Sequence, residues 1–231
     1  MYIVEGNIGT GKSTFLKLVA QHLPHISVIL EPRHHWQSDD GESLLGNFYQ
    51  DPHRWAYTME TLAMICRVRE HVAEQQHLAP NRIMERSIYS GHYCFAQNDF
   101  DNGFMTPVEW FAYNQWFNFL VPNKCKPPLG FIYLKTDPEV SYERIKKRNR
   151  GSETGISLDY LKQIDACHNK FLIEKDGILP SLKNVPVLTL ACNTEFETDQ
   201  QTLSKHLQLL TSFLQETQLA KALSSQVITS F

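Results

Sequence analysis

Residues Gly6-Asn7-Ile8-Gly9-Thr10-Gly11-Lys12-Ser13, followed by Thr14, carry the spacing G-x-x-x-x-G-K-S/T. Glycines in this pattern let the backbone curl until several N–H groups point inward at anionic oxygens. A helix starting at Lys12 would add its positive N-terminus. Lys12 would then reach the β- and γ-phosphates of a triphosphate, and the Ser13 hydroxyl would ligate Mg²⁺. The bland alternative is a glycine-rich strand-to-helix turn with no ligand. An apolar run before the loop and a helical pattern after it favour the phosphate-binding reading.

Such a loop does not by itself separate a kinase from a GTPase or a motor ATPase. The chain contains no Asn-Lys-x-Asp motif for reading guanine nucleotides. Two further acidic positions stand where short apolar runs end, at Glu31-Pro32 and at Glu85-Arg86-Ser87. A carboxylate facing the γ-phosphate can take a proton from an attacking hydroxyl. Glu31 fits that role, although an exposed acid at a strand end is the simpler alternative. Glu85 could serve the metal, with Arg86 beside it. Carboxylates next to the acceptor suit an uncharged hydroxyl; a nucleoside monophosphate acceptor would call for cations there.

Arg144, Lys146, Lys147, Arg148 and Arg150 crowd the end of one helical stretch and the loop after it. These charges repel one another until something anionic arrives. A solvated helix end is one reading. A lid at about 144–155 that closes over the transferring phosphate is the other, supplying cations and excluding water.

The elements that must position these groups alternate in type. Met1–Glu5, Ile26–Glu31, Arg82–Glu85, Gly130–Lys135 and Val185–Ala191 read as strands buried on both faces of a parallel sheet. Helical patterns cover Lys12–His22, Arg54–His77, Pro107–Leu120, Pro138–Arg148, Ser157–Lys175 and Gln200–Gln215. Thr106 is an expected N-cap with Pro107 in the first turn. The pattern predicts an α/β chain: a doubly wound, five-stranded parallel sheet flanked by helices, in one domain over residues 1–231. The small, polar tail 219–231 is expected to fray. Ligands of such sheets bind beyond the carboxyl ends of the strands, where the charged residues above collect.

Bulk composition agrees. The 231 residues carry a formal net charge of −3, which argues against a nucleic-acid polymer as partner. No apolar run approaches the roughly 18 residues needed to cross a membrane, and neither a signal nor a transit peptide is expected. The five cysteines contain no C-x-x-C pair and read as reduced thiols of a cytoplasmic protein.

Taken in order, EGNIGTGKST at Glu5–Thr14, EPRHHW at Glu31–Trp36, FYQDPHRWAYTMET at Phe48–Thr61, ERSIYSGHYCF at Glu85–Phe95 and ERIKKRNRGSETGISLDYL at Glu143–Leu161 resemble the deoxynucleoside kinase family. That family includes deoxycytidine, deoxyguanosine and mitochondrial thymidine kinases. The resemblance implies a P-loop kinase fold, ATP as donor with Mg²⁺, phosphorylation of a deoxynucleoside 5′-hydroxyl, and a homodimer built by helix packing. It implies Glu31 as general base, Arg86 as its partner at the hydroxyl, and Glu85 with Ser13 on Mg²⁺. Tyr49 and Glu153 would hold the 3′-hydroxyl. Arg144, Arg148 and Arg150 would form the lid. Phe95 would stack on the base, Trp36 would line its pocket, and Phe196 would touch the donor adenine.

The base pocket departs from the family pattern. Glu60 stands where a glutamine is usual, Met59 where a phenylalanine is common, and Gly91 where an aspartate accompanies Arg67 in some members. Glu60 and Arg67 lie two helical turns apart on one face, roughly 10 Å. They could bracket a base or form a long salt bridge. An ionised Glu only accepts hydrogen bonds and Arg only donates. Guanine offers N1–H and N2–H to the one and O6 and N7 to the other, so the pair leans toward deoxyguanosine. A pyrimidine or multisubstrate enzyme is the alternative. A sensing module without turnover would be expected to have lost Glu31, Arg86 or the lid arginines, and all are present.

Overall fold

The computed structural model describes residues 1–31, 43–77, 81–150, 153 and 155–228. Its five strands are β1 (Tyr2–Glu5), β2 (Ser27–Ile29), β3 (Arg82–Glu85), β4 (Phe131–Lys135) and β5 (Val187–Ala191). All pair in parallel, in the order β2-β3-β1-β4-β5. The central strand β1 is buried along its whole length, as is β4 apart from Lys135. That is why both read as unbroken apolar runs instead of alternating ones. β2 pairs on one side only and is shorter than Ile26–Glu31, so Leu30 and Glu31 lie beyond its end.

The helices are α1 (Lys12–His22), α2 (Leu44–Gln50), α3 (Pro52–Glu74), α4 (Ile88–Ser90), α5 (Gln97–Asp101), α6 (Pro107–Lys124), α7 (Pro138–Arg148), α8 (Leu158–Asn169) and α9 (Gln200–Ile228). A wide π-helical turn, Gly91–Ala96, joins α4 to α5. The expected bounds of α1 and α7 are met. α3 begins earlier than Arg54 because Asp51 caps it and Pro52 fills its first turn. α6 opens with a capping box between Thr106 and Glu109 and continues past Leu120 through Pro122 to Lys124. α9 runs on to Ile228, where the expected helix stopped at Gln215.

Helices cover both faces of the sheet. On one face Phe15, Leu16 and Val19 of α1 meet Leu210, Phe213 and Leu214 of α9 across Tyr2, Val4 and Ile132. On the other, Ala63 and Met64 of α3 and Tyr113 and Phe117 of α6 pack over Ile3, Phe131 and Tyr133. A smaller cluster of Ile145, Ile156 and Leu161 ties α7 and α8 to Ile8 and Tyr49. The strands β1, β2 and β3 therefore end side by side on a rigid floor, and the loops that follow them share one rim.

Candidate active site

The loop after β1 curls as its sequence requires. Gly6, Gly9 and Gly11 have φ of +147°, +84° and +88°. A Cβ on Gly9 would stand 2.6 Å from the Ser141 carbonyl oxygen, and one on Gly11 would stand 2.9 Å from the Phe196 ring. Asn7 anchors the curl, donating from Nδ2 to the Leu161 carbonyl at 2.7 Å and accepting from Ile8 N–H at 2.8 Å. The Thr10 hydroxyl donates to the Asn7 carbonyl at 3.2 Å. Lys12 Nζ donates to the Gly6 and Asn7 carbonyls at 3.0 and 2.6 Å. Burial, and then Arg86, pull the Lys12 pKa well down, against Glu85 and Glu31. An arriving phosphate would offer this ammonium the counter-charge it needs.

Next to it, Ser13 Oγ donates to Glu85 Oε1 at 2.7 Å, and Glu85 Oε2 accepts from Glu31 N–H at 3.3 Å. A hydroxyl and a carboxylate are hard oxygen donors of the kind Mg²⁺ takes alongside phosphate and water oxygens. Among the described residues no cluster of three or more His, Cys, Asp or Glu could hold a metal alone. Ser13 and Glu85 have the donor chemistry of a site that shares Mg²⁺ with a triphosphate.

Glu31 is gripped by two guanidiniums. Its Oε1 accepts from Arg67 Nη2 at 2.8 Å, and Arg86 Nε lies 3.7 Å from Oε2. Burial pushes the Glu31 carboxyl up, but Arg67 and Arg86 outweigh it and hold the group at about 2. Arg86 has φ of +64°, a left-handed conformation that a long side chain seldom adopts outside functional turns. Its backbone N–H still extends the sheet ladder to the Val4 carbonyl at 2.8 Å. The guanidinium lies over the Phe95 ring, Cζ 4.7 Å from the centroid. Its buried Nη1 has no hydrogen-bond partner among the described residues. Such a donor is placed for an oxygen that enters the site.

The groove these groups share holds about 590 Å³. Along it lie Ile8, Gly9, Gly11, Lys12, Ser13, Thr14, Glu31, Glu85 and Arg86 at the phosphate end, and Tyr49, Met59, Glu60, Arg67 and Phe95 at the other. Arg148, Arg150, Glu153 and Tyr160 complete the wall. Glu153 accepts from Arg148 Nε at 2.7 Å and lies 3.6 Å from Arg150 Nη1. Burial, and then the Glu153 charge, raise the Tyr49 hydroxyl pKa. Trp36 lies outside the described residues.

Arg144 and Phe196 border a second recess of about 400 Å³ with Gly9, Gly11, Thr14 and Arg148. Arg144 donates to the carbonyls of Cys192, Asn193 and Thr194 at 2.8, 3.3 and 3.2 Å. It braces the loop that carries Phe196, while Arg148 and Arg150 face the main groove.

The base end differs from simple helix geometry. No ion pair joins Glu60 to Arg67 among the described residues, because Arg67 turns across the groove to Glu31. Gly91 backs it: a Cβ there would stand 2.6 Å from Arg67 Nη1. Glu60 is 6% exposed, and its Oε2 has no hydrogen-bond partner among the described residues. Burial pushes the Glu60 carboxyl up to about 7, with Glu31 adding to the rise and Arg67 and Arg86 opposing it.

Several contributors have no role assigned from the sequence. Glu5 is fully buried and accepts from the Ser87 hydroxyl, which also caps α4. It ties the end of β1 to the turn that presents Arg86. Asp99 and Tyr113 are buried, and Tyr160 lines the groove. A family-independent clue existed for Asp99 alone, an acid placed in the aromatic stretch FAQNDF.

Comparison with known proteins adds a family. The family described as "Deoxynucleoside kinase" matches residues 2–215. Deoxycytidine kinase 2 of Gallus gallus is 36% identical over 85% of this chain and 83% of its own. Mitochondrial thymidine kinase 2 of Homo sapiens is 34% identical over 84% of this chain and 71% of its own. Mitochondrial deoxyguanosine kinase of Xenopus laevis is 32% identical over 84% and 82%. The three names carry three different bases at similar identity, so likeness alone selects none of them.

Proposed function

Because this chain belongs to the deoxynucleoside kinase family, and is therefore an enzyme that transfers phosphate to a nucleoside, we propose that it moves the γ-phosphate of ATP to the 5′-hydroxyl of a deoxynucleoside, with deoxyguanosine preferred. The observation that carries this reading is the single groove in which Lys12, Ser13 and Glu85 face Glu31 and Arg86. In it, Lys12 and the loop N–H groups take the donor phosphates. Ser13 and Glu85 would hold Mg²⁺, which when bound would neutralise phosphate charge. Glu31 receives the hydroxyl proton, and the free Nη1 of Arg86 holds the hydroxyl oxygen in line. Tyr49 and Glu153 take the 3′-hydroxyl, Phe95 and Met59 sandwich the base, and Arg148 and Arg150 close from the lid at about 144–155. Phe196 and Arg144 frame the adenine end of the donor.

A base held at about 2 is weak, since a general base works best near the operating pH. Release of Glu31 by Arg67 would raise its basicity. Guanine O6 and N7 accept from Arg67 and so draw it away, while Glu60 accepts from N1–H and N2–H. Cytosine would set its N3 acceptor against an ionised Glu60, at a cost of about 1–3 kcal/mol. The value near 7 for Glu60 favours a second reading below neutrality. There a protonated Glu60 can donate, and the pocket accepts pyrimidines as well. ADP release measured with each of the four deoxynucleosides tests both; a pyrimidine preferred tenfold over deoxyguanosine above neutral pH refutes the guanine assignment.

The α6 helix leaves Phe111, Trp116 and Phe119 exposed at 64, 50 and 61%, which supports a homodimer through this face. Sedimentation showing only monomer at assay concentration would exclude it. No described helix is long and apolar enough to cross a membrane. The five cysteines are all free, which suits a reducing compartment such as the cytoplasm.

A further inference from the structure

Gly91 opens the π-helical turn with a backbone that does not call for glycine. Its φ of −53° and ψ of −48° are those of an ordinary right-handed helix, and its N–H donates to the Ser87 carbonyl at 3.2 Å. In such a position glycine loses more conformational freedom on folding than alanine would, and it offers no side chain to pack. Space supplies the missing reason. A Cβ on Gly91 would stand 2.6 Å from Arg67 Nη1, yet 3.8 Å from both Cδ and Cζ of the same side chain. The first is a clash; the other two are ordinary contacts. A methyl group here would leave the stem of Arg67 in place and displace the tip of its guanidinium.

That tip is already engaged. Nη2, the twin of the atom that meets Gly91, donates to Glu31 Oε1 at 2.8 Å. The guanidinium is planar and rigid, so pushing on one terminal nitrogen turns the other. Arg67 stands on α3, Gly91 follows β3 and α4, and Glu31 follows β2. Other charged groups face Glu31 as well. Arg86 Nε, at the end of β3, lies 3.7 Å from Oε2, and Lys12 of α1 adds a positive charge. Glu60 and Glu70 of α3 feel the Glu31 carboxylate, and Glu85 of β3 accepts from the Glu31 backbone N–H at 3.3 Å. Of the two guanidiniums paired with Glu31, Arg67 is the nearer.

We propose that Gly91 is a positioning residue: its missing side chain lets the Arg67 guanidinium seat on Glu31, and any larger residue there loosens that grip. The inference rests on Glu31 being the base of the reaction proposed above, since only then does the grip govern catalysis. Gly91 acts through Arg67 and supplies no chemical group of its own. An arginine in contact holds a neighbouring carboxyl roughly one to three pH units down. Losing it returns Glu31 upward by about that amount from its value of about 2.

The test compares wild type, Gly91→Ala, Arg67→Met and the double variant, all ligand-free, after melting curves establish folding. Carbon-13 NMR of the side-chain carboxyl follows Glu31, its signal assigned by loss in Glu31→Gln. In wild type the signal stays that of a carboxylate down to the lowest pH at which the protein is folded. Gly91→Ala should raise the midpoint by roughly one to three pH units, Arg67→Met by at least as much, and the double variant by no more than Arg67→Met. An unmoved midpoint in Gly91→Ala overturns the proposal. So does a further rise of the same size when Ala is added to Arg67→Met, because the methyl group would then act without the arginine. If Gly91→Ala fails to fold, the double variant decides: folding restored by removal of the guanidinium supports the shared space, and failure of both overturns it. No turnover enters this measurement, so the base reading is judged separately. The acid limb of kcat/KM for deoxyguanosine reports the free enzyme and should move up with the NMR midpoint. A midpoint that moves while the limb stays refutes Glu31 as the base and leaves the seating of Arg67 by Gly91 standing.

Discussion

Replacing Glu60 by Gln removes a titration that burial has moved, and the effect on stability follows from the shift. The carboxyl stands near 4.5 when the chain is unfolded and at about 7 when it is folded. Between these values the folded chain holds a proton that the unfolded chain has released. Stability therefore falls as pH rises through that window, and the loss is complete above about 7. A rise from 4.5 to about 7 corresponds to about 3 kcal/mol. Gln mimics the neutral acid, so Glu60→Gln should match wild type near pH 4.5 and exceed it by about 3 kcal/mol in mildly alkaline buffer. For a chain of this length that is roughly 6–12 °C in Tm. Thermal unfolding of the ligand-free proteins, followed by circular dichroism at both ends of the window, reads the difference. A Glu60→Gln advantage of equal size at both ends would falsify the assignment of the shift to Glu60. A loss of stability that appears only on the alkaline side would invert the sign and refute the burial argument outright.

Glu31→Gln should leave nucleotide affinity near wild type in equilibrium titration and lower kcat by roughly a hundred- to ten-thousand-fold; an undiminished kcat removes Glu31 from the base role. Gly11→Ala forces a left-handed φ of +88° on a residue whose Cβ would stand 2.9 Å from the Phe196 ring. It should cost about 1–3 kcal/mol and weaken ATP binding, both readable by melting curves with and without nucleotide; unchanged curves contradict the close packing of loop on ring. Arg148→Ala, which also frees Glu153, should lower kcat/KM for ATP by roughly tenfold to a thousandfold, most of it in kcat. A loss confined to KM would mark Arg148 as a ground-state contact only.

The parts of this molecule legible in the sequence are those whose cause is local. α1 and α7 start where a loop glycine or an Asp-Pro pair dictates, and their bounds could be read directly. The buried central strands announce themselves by composition. α2 and the stretch from Ile88 to Asp101 were not read as helices. The first is short, and the second contains a π-helical turn that breaks the 3.6-residue period. Spacing put Glu60 and Arg67 on one helix face, but it could not reveal that Arg67 would reach across to the end of β2. That contact is set by the distance between two elements, which no periodicity encodes. The clue at Asp99 was weak for the same reason: an acid looks solvent-facing until the fold buries it. The roles at Tyr49, Phe95 and Glu153 came from family likeness, and the structure brings those side chains to the same groove.

The ion pair between Arg67 and Glu31 also bears on what happens when no acceptor is present. A phosphate-binding loop loaded with ATP beside an available carboxylate invites water to attack in place of a sugar hydroxyl. While Arg67 Nη2 sits 2.8 Å from Glu31, the carboxylate would have little appetite for a proton, and water in the groove would stay unactivated. The nucleobase would thus act as a key that unlocks the base at the far end of its own sugar, so that wasteful ATPase turnover is suppressed until cargo is aboard. Arg67→Met should then release ADP faster than wild type in the absence of any deoxynucleoside, while losing discrimination among the four; an idle rate no higher than wild type's would show that the safety catch lies elsewhere.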